Sequence, residues 1–304
     1  MCFVPTILSQ TKYTINGVVT DMTNGETLPG ATVTVEELPG VGTASNAYGY
    51  FALTLPKGNY TLKIQYIGYE TINFLVNLDQ NLYQSFKMES MATSLQEIKV
   101  TPYRLDDRIH TNDISVERIQ ISEIKNIPVF LGERDVLKTI TLKPGITSVR
   151  DGESGLHVRG GNNSQNLVLL DGTTVYYPYH LLGFFSTFNS EAIKDVTVYK
   201  GTAPTSYGGR ISSVMDIRMK DGNNQSFEVN GGIGLIASNL SVEGPIVKEK
   251  GSFLVAGRRT YIDMLLQLTG DPELSSRTLN FYDLNAKVNF SINRKNRIFL
   301  SAYT

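Results

Sequence analysis

Tryptophan is absent, cysteine occurs once, histidine three times, and 28 basic side chains are offset by 29 acidic ones. Each shortage closes off a class. Cys2 has no partner for an intramolecular disulfide, and no Cys/His spacing suits zinc, so no metal and no cofactor is expected. His110, His157 and His180 stand apart in the chain, which argues against a histidine-based catalytic constellation. A net charge of −1 gives no basic footprint, so nucleic acid is not an expected partner. No apolar run approaches the ~20 residues of a membrane-spanning helix. A membrane location would therefore require a barrel, and hence an outer membrane. Residues 1–11 carry no basic side chain and read as a signal-peptide remnant or a disordered tail.

What is present is β-rich. With 41% apolar and 10% aromatic residues the chain is not wholly disordered. Over 12–89, runs such as YTINGVVT, ATVTVEE, GYFALTL and NYTLKIQYIGY cluster β-branched and aromatic residues between turn-forming NGE, PG, NAYG and PKGN. This regular spacing predicts a two-sheet sandwich with Val18, Val33, Val35, Phe51, Leu53, Leu55, Tyr60, Leu62, Ile64 and Tyr66 facing inward. The same stretch resembles the carboxypeptidase-regulatory-like, transthyretin-type domain. An enzymatic reading does not follow, because no histidine precedes His110 to build a His/Glu zinc site.

Residues 90–104 read as a linker. Within it Gln96, Glu97, Ile98, Lys99, Val100 and Thr101 alternate polar and apolar, an isolated strand suited to adding onto a partner's sheet or to joining a neighbouring domain. Over 105–222, Leu131, Val136, Leu137 and Ile140 have helical spacing. Short β-branched runs follow at 156–159, 166–170, 194–200 and 211–219, most of them closed by glycine. The order VRGG, VLLDGTTVY, EAIKDVTVYKGTAPTSYGGRISSVMDI resembles the plug domain of TonB-dependent outer-membrane receptors of the Bacteroidetes kind. By that resemblance Arg159, Gly160 and Gly161 form an Arg-Gly turn, and Asp171 with Gly172 a hairpin. Glu191, Lys200, Gly201 and Pro204 belong to one run, and Tyr207, Gly208, Gly209 and Arg210 to the closing motif, with Asp216 after it. A plug fills a barrel, so the resemblance implies that these charges meet barrel-wall partners, since buried charges must be paired. Tyr176, Tyr177, Tyr179, Phe184 and Phe185 lie on an aromatic loop that either packs on the wall or floors a ligand cavity.

Beyond residue 222 the pattern changes to barrel-like hairpins, most clearly over 282–292. In Tyr282 to Ile292, apolar Tyr282, Leu284, Ala286, Val288, Phe290 and Ile292 alternate with Asp283, Asn285, Lys287, Asn289 and Ser291. One face suits lipid and the other a wet lumen, but a soluble sheet with one buried face gives the same pattern. The expected fold class is mainly β: a transthyretin-like sandwich, an α+β plug, and over 223–304 the first antiparallel strands of an incomplete barrel. The resemblance implies a receptor fragment for uptake of a siderophore, cobalamin, glycan or peptide. Its implied partners are TonB with the inner-membrane energising complex, outer-membrane lipid and an optional surface lipoprotein, and the sandwich would lie in the periplasm. The competing expectation is a non-catalytic surface adhesion module.

Overall fold

The computed structural model describes residues 11–91, 115–120, 124, 134–148, 155–180, 183, 185–267, 271, 273, 280–293 and 296–304. They fall into two compact units, Met1–His110 and Thr111–Thr304. No described helix is long and apolar enough to cross a membrane.

The first unit has eight strands: β1 (Lys12–Asp21), β2 (Thr32–Val35), β3 (Gly42–Ala44), β4 (Tyr50–Pro56), β5 (Gly58–Gln65), β6 (Ile72–Leu78), β7 (Leu82–Tyr83) and β8 (Phe86–Met88). One sheet runs β4-β1-β7 with β8 also on β1, and the other runs β3-β2-β5-β6. Phe51, Leu53 and Leu55 alternate inward on β4, and Tyr60, Leu62 and Ile64 on β5, with Val33 and Val35 beside them. Two members of the expected inward set are corrected. Tyr66 packs only partly against the core, and Val18 faces outward while Ile15 and Val19 face in. The phase was misread because Gly17 occupies the inward position between them and contributes no apolar side chain. At that point β1 passes from β7 to β8, and the intervening Gln84 N–H bonds the Asn16 carbonyl at 2.8 Å.

The second unit continues with β9 (Val116–Gln120), α1 (Val136–Thr141), β10 (Ile146–Ser148), β11 (Leu156–Val158), β12 (Asn166–Leu170), β13 (Thr173–Thr174), β14 (Tyr179–His180), β15 (Phe185–Ser186), β16 (Ile193–Tyr199) and β17 (Ser213–Met219). A mixed sheet of order β13-β12-β17-β16-β9 is its centre, with β12 and β17 parallel and the other pairs antiparallel. The helix starts where Asp135 accepts from the Lys138 N–H at 2.9 Å, a side-chain N-cap. Its Val136, Leu137 and Ile140 enter one core with Ile119, Val168, Val196, Met215 and Ile217.

Five further strands, β18 (Glu228–Ile233), β19 (Ala237–Val247), β20 (Gly251–Thr260), β21 (Tyr282–Asn293) and β22 (Asn296–Tyr303), form an antiparallel meander in chain order, with α2 (Ile262–Gln267) in the β20–β21 connection. Leu254 and Ala256 of β20 belong to the same core as the mixed sheet, so the meander lies against that sheet as a wall.

Candidate functional site

On β21 the wall is polar toward the mixed-sheet domain and apolar away from it, while β20 sends Leu254 and Ala256 into the shared core. On β21, Asp283, Asn285, Lys287 and Asn289 are all buried, whereas Tyr282, Leu284, Val288 and Phe290 are 38–69% exposed. Leu240 on β19, Val255 on β20 and Leu300 on β22 are likewise exposed. A sheet built for water hides its apolar face. Here the hidden face carries the charges, which is the arrangement of a strand between lipid and a polar interior.

The buried face of β21 is one side of an ionic seam. The Lys287 ammonium lies 3.2 Å from a carboxylate oxygen of Asp171, in the β12–β13 turn, and 3.0 Å from Asp221, just after β17. It also donates to the Met219 carbonyl at 3.0 Å. Arg297 of β22 reaches Asp221 at 3.3 Å, and Asn289 donates to the Asp221 carbonyl at 2.6 Å. Burial alone would raise the Asp221 pKa, but Lys194, Lys287 and Arg297 outweigh it and hold the carboxyl below its ordinary value. A depressed folded pKa means stability that is present above the unfolded carboxylate value, ~3.9, and is lost as pH falls through the folded one. Acidification below about pH 4 should therefore lower the amide-exchange protection factors of residues 213–223 in the wild type, taken relative to the intrinsic rate at each pH. In Asp221→Asn that acid-dependent part should be missing; an identical profile in both proteins would contradict the linkage.

At the other end of β21, Asp283 accepts from Arg258 of β20 at 2.5 Å, both side chains being 1% exposed, and lies 2.6 Å from Nε2 of His180. Arg258 also donates to the Ser186 carbonyl at 2.6 Å, which ties β15 to the wall. His180 stacks on Phe281 with centroids 4.1 Å apart. Asn285, between the two ionic clusters, is fully buried, and its amide group has no hydrogen-bond partner among the described residues.

The motif residues distribute as follows. Asp171 meets the wall through Lys287, while its Oδ1 also accepts from the Met219 N–H at 3.0 Å. Lys200, Arg159 and Asp216, expected at the wall, have their described partners inside the mixed-sheet domain. Lys200 donates to Glu117 at 3.2 Å and to the Pro144 carbonyl at 3.1 Å, and Arg159 donates to Ser115 Oγ at 2.8 Å. These two motifs therefore converge on Ser115 and Glu117, at the entry to β9, the edge strand of the sheet. Asp216 accepts from Arg218 at 2.8 Å and from the Tyr207 hydroxyl at 3.0 Å. Glu191 is buried beside Asn189, whose side chain accepts its N–H at 3.0 Å. Gly160, Gly172, Gly201 and Gly209 have φ of 80–112°, while Gly161 is crowded by Ser212 and Gly208 faces open space. Pro204 opens the turn closed by Tyr207 N–H, and the exposed Arg210 bonds the Gly209 carbonyl. Tyr176 and Tyr177 are 85% and 65% exposed, while Tyr179 and Phe185 are buried. Phe184 and the strand Gln96–Thr101 lie outside the described residues.

Residues 15–100 match the CarboxypepD_reg-like domain family, and residues 109–214 match the TonB-dependent Receptor Plug Domain family. The chain thus carries a plug-type domain over 109–214. That segment is similar to the plug of TonB-dependent receptors, and 15–100 to a CarboxypepD_reg-like domain. The first match runs into the Gln96–Thr101 segment. Among solved structures the chain is similar to the siderophore receptor PirA from Acinetobacter baumannii, with 17% identity, TM-score 0.44, and 63% of this chain against 31% of that one. The siderophore receptor PirA from Pseudomonas aeruginosa gives 19%, 0.43, 62% and 33%, and the copper transporter OprC gives 15%, 0.44, 62% and 30%. The chain thus spans about a third of the length of these receptors. A comparison with curated proteins finds no match.

Missed by the sequence reading as individual sites were Arg258, Asp221 and His180. Asp283 and Lys287 were legible only as members of the polar face of β21.

Proposed function

We propose that this chain belongs to a receptor that draws a nutrient too large or too scarce for porins across an outer membrane, with residues 105–222 as the stopper and 223–304 as the beginning of its cylinder. The observation that carries the reading is the inverted polarity of β21: buried Asp283, Lys287 and Asn289 against exposed Leu284, Val288 and Phe290. A surface adhesion module in water gains nothing from that arrangement, and the match of residues 109–214 to the plug family supports the same reading. The sandwich, residues 12–89, lies in the periplasm, followed by a linker over 90–104. The exposed Tyr176 and Tyr177 offer aromatic faces to a ligand of the siderophore, cobalamin, glycan or peptide class.

Coupling to energy runs through Gln96–Thr101. An alternating strand of this kind adds to an exposed sheet edge by main-chain hydrogen bonds, with alternate side chains giving specificity. TonB, driven by the inner-membrane complex, is the partner with such an edge. A peptide spanning residues 90–105 should bind the C-terminal domain of TonB in calorimetry, and Val100→Pro should abolish binding, because proline removes a donor from the ladder. No binding by the native peptide, or equal binding by the proline variant, would sink this assignment.

A further inference from the structure

We propose that the sandwich pairs with a second copy of itself through β6, the two strands running antiparallel about a two-fold axis at Leu75. The inference concerns residues 12–89 alone and does not depend on the transport reading. β6 ends its sheet, whose order is β3-β2-β5-β6, and over Ile72–Leu78 its register with β5 is unbroken. Natural edge strands are guarded by lysine, proline, a bulge or brevity. The stretch INFLVNL, 7 residues long, has none of these guards and no charge of either sign. Leu75, at its middle, is 80% exposed.

The direction of the main-chain groups on this edge follows from the strand beside it. Thr61 of β5 is the partner of Leu75, and it turns both of its groups the other way, toward the segment just past β2. Its carbonyl accepts from the Glu36 N–H at 3.0 Å, and its N–H donates to the Glu37 carboxylate at 2.8 Å. Opposed residues in an antiparallel pair either exchange both bonds or both point away from each other. Leu75 therefore points away from β5, and by the period of two so do Asn73 and Asn77. Among the described residues no group meets the N–H or C=O of these three on that side.

The order of side chains selects the partner. About Leu75 the strand is close to a palindrome: Asn73 mirrors Asn77, Phe74 mirrors Val76 and Ile72 mirrors Leu78. In the matching register Leu75 lies opposite the partner's Leu75 and Asn73 opposite the partner's Asn77, each pair exchanging two main-chain hydrogen bonds. The exposed face then sets leucine on leucine and amide on amide, and opposed amides can also bond each other. On the core-facing side Phe74 lies beside the partner's Val76. Past the ends Glu70 meets the partner's Gln80 and Asp79 the partner's Thr71, so no like charges face each other. A slip of two residues would set Leu75 against asparagine, and a slip of one would join the core face of one copy to the solvent face of the other. A two-fold contact must be self-complementary, and this strand is.

The test uses the full chain carrying Cys2→Ser and one new cysteine at a time, treated with a thiol cross-linker spanning ~5 Å, the separation of directly opposed Cβ atoms. Leu75→Cys should cross-link to itself, because it sits on the axis. Asn73→Cys and Asn77→Cys alone should not, since each lies ~13 Å from its own copy, yet a mixture of the two should. Leu75→Lys, at a site exposed enough to spare the fold, sets like charges opposite each other. It should raise the dimer dissociation constant roughly fivefold in sedimentation of the full chain in detergent. A wild type that stays monomeric at ~100 µM overturns the inference, whether or not another polypeptide is captured on β6. So does equal cross-linking at positions 73 and 75, or a dimer indifferent to Leu75→Lys.

Discussion

Lys287→Met should cost about 3–5 kcal/mol at the junction of plug and wall, the range seen when one partner of a buried ionic cluster is removed. The size follows from what is left behind. Asp171 and Asp221 both rely on this ammonium, and Lys287 is 8% exposed in its side chain, so water does not readily replace it. Methionine preserves length and apolar stem, which isolates the charge from the packing. Asp171→Asn should cost less, because Lys287 keeps Asp221 and the Met219 carbonyl. Amide exchange of residues 166–174 and 213–222 in the folded receptor measures both. If the two variants protect these amides as well as the wild type, the seam contributes no stability.

Gly17→Ala should unfold or strongly loosen the first unit, at a cost of about 3 kcal/mol or more, the upper end of overpacking penalties. The methyl group would overlap the Gln84 carbonyl oxygen, a backbone atom that has no rotamer with which to move aside. That carbonyl is where the chain crosses between β7 and β8, so moving it would break the parallel pairing of one of them with β1. For a unit of this size the penalty corresponds to a fall of more than about 10 °C in melting temperature. Thermal denaturation of the full chain, followed by exchange of residues 12–88, reads it directly. An unchanged midpoint would mean that the crossing can shift by more than an ångström without loss. By contrast Gly40 and Gly68, where an added Cβ meets nothing, owe their identity to φ of 84° and 81° alone.

The contrast between these two sites shows how far the amino-acid order speaks for itself. Strands with an unbroken apolar run or alternation were legible to within a residue or two: the continuous run Asn166–Leu170, the run ending at Tyr199, and the alternating faces of β21. Gly17 shows why one strand was misphased, since a glycine at an inward position erases the apolar signal that sets the frame. Which face of β21 would be hidden was not legible, because period two is symmetric between the wet and dry faces. The structure broke the tie by placing Lys287 beside Asp171, 116 positions earlier in the chain. Long-range pairing of that kind has no local signature. The same holds for Lys200, whose motif was plain but whose partners Glu117 and Pro144 come from separate segments. In the aromatic loop, composition marked the region but gave no period, so the exposed Tyr176 and Tyr177 could not be told from the buried Tyr179 and Phe185.

The chemistry lining β21 also decides how a stopper can leave its seat. Two apolar surfaces pulled apart in water lose stabilisation in proportion to the area rewetted, and nothing in the solvent makes up for it. Carboxylates, ammonium and amide groups exchange each other for water at a small net cost, because hydration replaces much of what separation removes. With Asp171, Asp221, Lys287, Arg297 and Asn289 along it, the border between the mixed-sheet domain and the wall should part in water at a smaller net cost than an apolar border of the same size.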